Sequence, residues 1–398
     1  MKIKFNLPAV VFALLLFCIL SIQPLTAFAQ GSLTPPGAPG ATMVTLSQIE
    51  PRTPISSLPF TISTPGSYYV TANLSGAFNQ NGIIVAADNV TIDLNGFTLV
   101  GGGGSSGEAI WSSTVRQNLV IRNGTVRNWP GSGINFYDSG SSLVTVQNIH
   151  SISNGFTGFA LKNGSRITDC LAVGNGIRGI LVDNDCLVEH CKAAGNGSLG
   201  IGSGSNCQLR DNLSEGNVYG LYITGTSNLV SGNTVMLNTA NNYIIAQGNQ
   251  LDLLLSQVPE TISWPAKVKL TGSMTVASGN AITISANSVT IDLNGFTLSS
   301  TQNPAGSSGN GILVNGPMQN IAIANGFVQG GVTNNGSGVY SGSGFGSGIT
   351  YSGNAPMNVL VSHVTISGCL FNGIFLNFTY STMVESCSVQ TVGSTGIE

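Results

Sequence analysis

Asp169, His190 and Asp211 follow one another at a step of 21 residues. Glu189 and Arg210 stand directly before the last two. A histidine between two carboxylates can pass a proton near neutral pH. Glu189 with Asp169 and Asp211 could hold a cation against an acidic sugar, and Arg210 could act as base beside it. The same set also reads as a surface ladder of balanced charge. A second group, Asp183 and Asp185 in Val182-Asp183-Asn184-Asp185, offers the oxygen ligands that Ca2+ takes. That run equally suits a tight turn capped by its own side chains. Trp111, Trp129, Phe136 and Tyr137 could present ring faces to sugars or pack in a core. Asp93 and Asp292 occupy equivalent strand positions and read as structural.

The elements that must position these residues keep the same step. Asn154, Asn175, Asn196, Asn217 and Asn238 form one column, and Gly174, Gly195 and Gly216 run just ahead of it. Cys170, Cys191, Asn212 and Asn233 form another, and Cys186, Cys207 and Asn228 a third. A fixed period of about 20 residues or more marks an array of like units. The apolar runs are too short, and Gly too dense, for helical repeats. Short β-branched runs between turn residues read as strands of about three to five residues. The fold class is therefore all-β, each block being one coil of a parallel β-helix. Equivalent residues of stacked coils lie about 4.8 Å apart. An inward Asn at a corner can bond the amides above and below, and it tolerates the left-handed backbone a corner needs. The cysteine columns read as small buried thiols, with disulfides between adjacent coils as the alternative.

Charged residues make up 7% of the chain and the net charge is −3, which excludes a basic nucleic-acid binder. Residues 1–29 read as a secretory signal: Lys2 and Lys4, an apolar stretch from Val10 to Leu20, then Ala27-Phe28-Ala29. That stretch falls short of the roughly 20 residues a span needs, so no membrane span is expected in the mature chain. Residues 30–66 read as a Pro-rich lead-in and N-terminal cap, 67–250 as a first β-helix domain, 251–270 as a linker or cap, and 271–398 as a second β-helix domain. Insertions at 101–107 and 138–142 lengthen the early coils and should shape a groove on one face. The tandem duplication rests on Ser288–Leu298, which repeats Asn89–Leu99, and on Asn320–Gly330, which repeats Asn118–Asn128. The second copy stops in mid-coil at Glu398, which reads as the mark of a fragment.

The Thr-Ile-Asp-Leu-Asn-Gly-Phe-Thr-Leu coil and the Gly-Asn-Gly-x-x-Gly-Ile element at 174–180 resemble the right-handed parallel β-helix superfamily. That superfamily includes pectate lyases, polygalacturonases and many exported bacterial proteins. The resemblance covers about residues 80–245 and 275–398. It implies binding or processing of polysaccharide in a groove along one face. The Asn-Thr-Asp, Asp-Asp, Gly-His-Gly and Arg-Ile-Lys elements of the polygalacturonases are absent. So are the Trp-x-Asp-His and Arg-x-Pro-x-x-Arg elements of the lyases and the Asp-Pro-His-Glu of alginate epimerases. No catalytic residue carries over. The expectation is a secreted or cell-surface protein that binds polysaccharide or joins a matrix. The alternatives are a lyase or hydrolase working at Asp169, His190, Asp211, Glu189 and Arg210, and an adhesin-like stalk.

Overall fold

The computed structural model describes residues 51–303 and 309–398. The signal at 1–29 and the start of the lead-in lie outside them. Among the described residues every regular element is a strand. One coil illustrates all: Arg166–Thr168 on a first face, Leu171–Val173 on a second, Arg178–Val182 on a third. Each strand pairs in parallel with its counterpart 21 residues on, as in Ile167↔Val188, Ala172↔Ala193 and Ile180↔Ile201. The result is a parallel solenoid of about 14 turns. Its core is a stack of like on like: Ile167, Val188 and Leu209 on one face, Ile180, Ile201 and Leu221 on another, all fully buried.

The first and second faces belong to one 23-stranded sheet. Long strands such as Gln117–Arg127, Ser142–Ile152 and Met357–Cys369 bend round the shared corner and contribute to both. The third face is a nine-stranded sheet followed by a four-stranded one.

The Asn-Gly-x-x-Gly-Ile spacing has a steric cause. A Cβ on Gly176 would sit 2.1 Å from the Gly155 carbonyl of the coil below. A Cβ on Gly179 would meet Asn196 Nδ2 and the Gly200 carbonyl at 2.7 Å. Just before them Asn175 turns inward. Its Oδ1 accepts from the Asn154 backbone N–H at 3.1 Å and from Asn154 Nδ2 at 3.0 Å. Its own Nδ2 donates to Asn196 Oδ1 at 3.0 Å. The same donation continues from Asn196 to Asn217 and from Asn217 to Asn238, at 3.0 and 3.1 Å. Asn238 Nδ2 then donates to Asn242 Oδ1 at 3.0 Å, and Asn242 Nδ2 to Glu260 Oε2 at 3.3 Å. The expected asparagine ladder is therefore present, and it runs on into a carboxyl group. The six described cysteines are free thiols. Cys191 takes the inward position that Asn212 takes one coil later, and its Sγ donates to the Glu189 carbonyl at 3.2 Å.

Three expectations change. Part of the lead-in is coil: Thr53–Ile55 pairs with Gly66–Val70, and Phe60–Ile62 with Ile83–Val85. The segment 251–270 is wound into the solenoid instead of standing apart as linker or cap. Its strand Gln250–Leu255 pairs with Leu229–Met236 before it and Ala266–Leu270 after it. The third face is interrupted there, between Asn241–Ile245, which ends the nine-stranded sheet, and Glu260–Ile262, which opens the next. Residues 52–398 thus form one compact unit. Strand positions recur along it, as in Phe60–Ile62 and Glu260–Ile262, or Val90–Asp93 and Val289–Asp292. Finally, Trp129 and Phe136 are fully buried core residues.

Candidate functional site

Asp169, His190 and Asp211 sit at the corner between the first and second faces, one above another. His190 Nδ1 lies 3.8 Å from Asp169 Oδ1 and Nε2 lies 3.9 Å from Asp211 Oδ2. Glu189 and Arg210 pair across the same step at 3.9 Å. Lys192 and Glu215 pair at 2.6 Å. The sequence-derived cluster is thus assembled, and Glu189, His190 and Asp211 bring donor atoms within 4.8 Å of one another. Its setting is less suited to catalysis. The three corner side chains are 53–58% exposed on a convex edge. Their backbones are all left-handed, with φ of 55°, 52° and 53°. Asn123, Asn148, Gly232, Asn325 and His363 hold the same corner with positive φ in other coils. Asn, Asp, His and Gly are the residues that tolerate this conformation. The backbone alone therefore accounts for the residue types in this column.

Asp183 and Asp185 take separate tasks at the corner between the third and first faces. Asp183 Oδ2 accepts from Lys162 Nζ at 2.7 Å, and this hydrogen bond raises the lysine pKa. Asp185 is exposed, has φ of 59°, and accepts from Asn206 Nδ2 at 3.2 Å. The turn reading describes Asp185, and Asp183 is a wall residue of the groove described next. Asp93 is buried and takes Arg122 Nε at 3.1 Å and its own turn N–H at Asn95, a structural role as expected.

The third face carries a groove of about 700 Å3. Its floor is the outward row Asn135, Ala160, Leu181, Gly202 and Tyr222, which stack coil on coil. Ala160 and Gly202 lower the floor on either side of Leu181, and four inter-coil steps give it a length of about 19 Å. The insertions at 101–107 and 138–142 stand at one end, as their position in sequence suggested. Tyr137 and Arg178 line it. Lys162 Nζ lies 3.9 Å from the centre of the Tyr137 ring. Tyr222 is braced edge-on by Tyr219 at 6.1 Å.

At the insertion end, Asn135 organises two carboxyl groups that the sequence did not single out. Its Oδ1 accepts the Tyr137 N–H at 3.1 Å, which fixes the orientation of the amide. Its Nδ2 then donates to Glu108 Oε1 at 2.7 Å and to Asp138 Oδ2 at 2.6 Å. The two oxygens share one nitrogen and so lie no more than about 5 Å apart. Glu108 is tucked against Gly131, where a Cβ would come within 2.8 Å of its Cγ. Burial pushes the Glu108 carboxyl up to about 7, against the opposing pull of the Asn135 hydrogen bond, with the Asp138 charge adding to the rise. A carboxyl group that titrates near neutrality at the end of a groove can give or take a proton there.

The described residues thus form a three-faced parallel β-helix with a groove along one face. Sequence comparison agrees: residues 108–258 match the family model described as right handed beta helix region. Similar solved structures include the Agl-KA catalytic domain, at 13% identity over 85% of this chain and 62% of that one, with a TM-score of 0.35. The A-module of the Azotobacter vinelandii mannuronan C-5 epimerase AlgE4 matches at 13% identity over 84% and 91%, with a TM-score of 0.29. The catalytic domain of a GH87 α-1,3-glucanase in complex with nigerose matches at 12% identity over 86% and 65%, with a TM-score of 0.24. The chain thus spans less than two thirds of the first and last of these domains. No curated protein matches the sequence.

Proposed function

We propose that the protein is exported and binds a polysaccharide chain along the third-face groove. The observation that supports this is the groove floor: an outward row about 19 Å long from Asn135 through Ala160, Leu181 and Gly202 to Tyr222, long enough for several sugar rings, with Tyr137 and polar side chains beside it. Migration of the purified protein through gels containing a panel of neutral and acidic polysaccharides tests it. At least one polymer should retard the wild type, and Tyr222→Ala should weaken retardation several-fold, as expected for loss of an aromatic platform. Equal migration in every gel would refute the reading. Recovery of protein beginning at Gln30 from the medium of an expressing host tests export.

A second reading is favoured by Glu108 and Asp138. Two carboxyl groups whose facing oxygens lie within about 5 Å of each other, one holding a proton near neutrality, are closer to the spacing of acid and nucleophile in hydrolysis with retention than to the wider one of inversion. Glu108 would protonate the leaving oxygen and Asp138 would attack the anomeric carbon. Release of new reducing ends that Glu108→Gln abolishes would establish it. Absence of release from any polymer retained in the gels would leave binding alone.

A further inference from the structure

The break in the third face leaves a second cavity. The strands Asn241–Ile245 and Glu260–Ile262 face each other without pairing. Between them lies a space of about 300 Å3, the lower end of the range for small-molecule sites. Asn238, Asn242, Tyr243, Gln257, Glu260 and Trp264 line it. Trp264 is only 7% exposed, yet its indole N–H has no hydrogen-bond partner. A buried donor left unsatisfied costs roughly 1–3 kcal/mol, so such a group marks a place for an acceptor. The Trp264 and Tyr243 rings meet at 5.9 Å and 56° behind a lining that is mostly polar. Glu260 Oε2 accepts from Asn242 Nδ2 at 3.3 Å across the gap. Glu260 is half-buried, and burial raises its pKa. By strand position, Phe60 and Thr64 stand in the earlier coil where Glu260 and Trp264 stand here. The polar set belongs to the break.

These groups select a ligand class. A cation could not satisfy the indole N–H. An anion would lie against Glu260. A polymer chain would not fit the volume. A single neutral pyranose offers oxygens to the indole N–H and hydroxyls to the carboxyl group and to the side-chain amides of Asn238, Asn242 and Gln257. We propose that the cavity between Asn242, Glu260 and Trp264 binds one neutral sugar ring, as a site separate from the long groove and independent of the reading given for it.

The test uses the full chain and methyl glycosides of glucose, galactose, mannose and N-acetylglucosamine at millimolar concentration, with methyl glucuronide as the charged comparison. Saturation-transfer NMR reads binding, and tryptophan emission reads the site. At least one neutral glycoside should bind, more tightly than the glucuronide. Trp264→Phe removes the N–H and keeps a ring; it should weaken binding about tenfold, as loss of one hydrogen bond does. Tyr222→Ala, in the groove, should leave this binding unchanged even where it weakens polymer retention. No binding by any neutral glycoside, preference for the glucuronide, or full binding by Trp264→Phe would each overturn the proposal. Should that variant fail to fold, Asn242→Ser takes its place, and undiminished binding by it is equally fatal. A free sugar and a chain end are separated by comparing each bound methyl glycoside with a trisaccharide ending in the same ring.

Discussion

Replacing Glu108 with Gln should change the pH dependence of stability in one defined window. The carboxyl group ionises near 4.5 in the unfolded chain and about 7 in the fold. Between those values the folded state binds more protons than the unfolded state. Stability is therefore fully retained below about 4.5 and is lost as pH rises through about 7. The shift corresponds to about 3 kcal/mol at pH 8, an upper figure because the groove admits some water. Gln keeps the shape and accepts the Asn135 hydrogen bond without carrying a charge. Urea unfolding at a series of pH values should show the variant no more stable than wild type near pH 4. It should be more stable by up to about 3 kcal/mol near pH 8. Asp138→Asn should narrow the difference, because the Asp138 charge contributes to the rise. A difference between Glu108→Gln and wild type that stays flat from pH 4 to 8 would refute the burial argument, and with it the proton-donor role.

Other expectations follow from the same geometry. Asn196→Ala would leave the Asn175 N–H and the Ala172 carbonyl without their side-chain partner; at roughly 1–3 kcal/mol each, urea denaturation should show a loss of about 3–5 kcal/mol, whereas exposed Asn163→Ala should cost under about 1 kcal/mol. His190→Ala should change stability by no more than about 0.5 kcal/mol and leave polysaccharide retention intact, since the corner side chain is exposed; loss of glycan binding or release would restore the corner as the functional centre. Burial raises the thiol pKa of Cys369 to about 12 and that of Cys170 as well. Of the six described cysteines, a bulky aromatic disulfide should therefore label only half-exposed Cys387 rapidly in the native protein, and Cys387→Ser should remove that phase.

The coils were legible because stacking makes each column repeat its physical requirement. An inward amide must find an amide above it, so Asn154 to Asn238 recur at one step. A residue with no room for Cβ must be Gly, so Gly155, Gly176 and Gly197 recur with them. The corner cluster was legible for the same reason, and a backbone requirement alone can account for its residue types. A left-handed corner calls for Asn, Asp, His or Gly, and Asp169, His190 and Asp211 meet that need before any other. Glu108, Asn135 and Asp138 were missed because they lie on early coils of unequal length. Glu108 and Asn135 are 27 residues apart, Asn135 and Asp138 only three. No period joins them. The signal present in sequence was indirect: two insertions that crowd one end of a face, with Tyr137 between them. The cavity at Trp264 was hidden by continuity on the first face, which carries the winding past 251–270 while the third face opens.

The asparagine row has one more consequence. Four of its side-chain amides, Asn154, Asn175, Asn196 and Asn217, each donate one coil onward in the same direction along the axis, and Asn238 and Asn242 carry the run on to Glu260. Aligned amide dipoles add, as they do in a peptide helix, and hydrogen bonds in series polarise one another. The positive pole of this row, gathered over roughly 20 Å, is delivered to the oxygens of Glu260. A column whose evident task is to hold neighbouring turns together is therefore also a fixed electrostatic source, built wholly from uncharged side chains and aimed at the wall of a cavity.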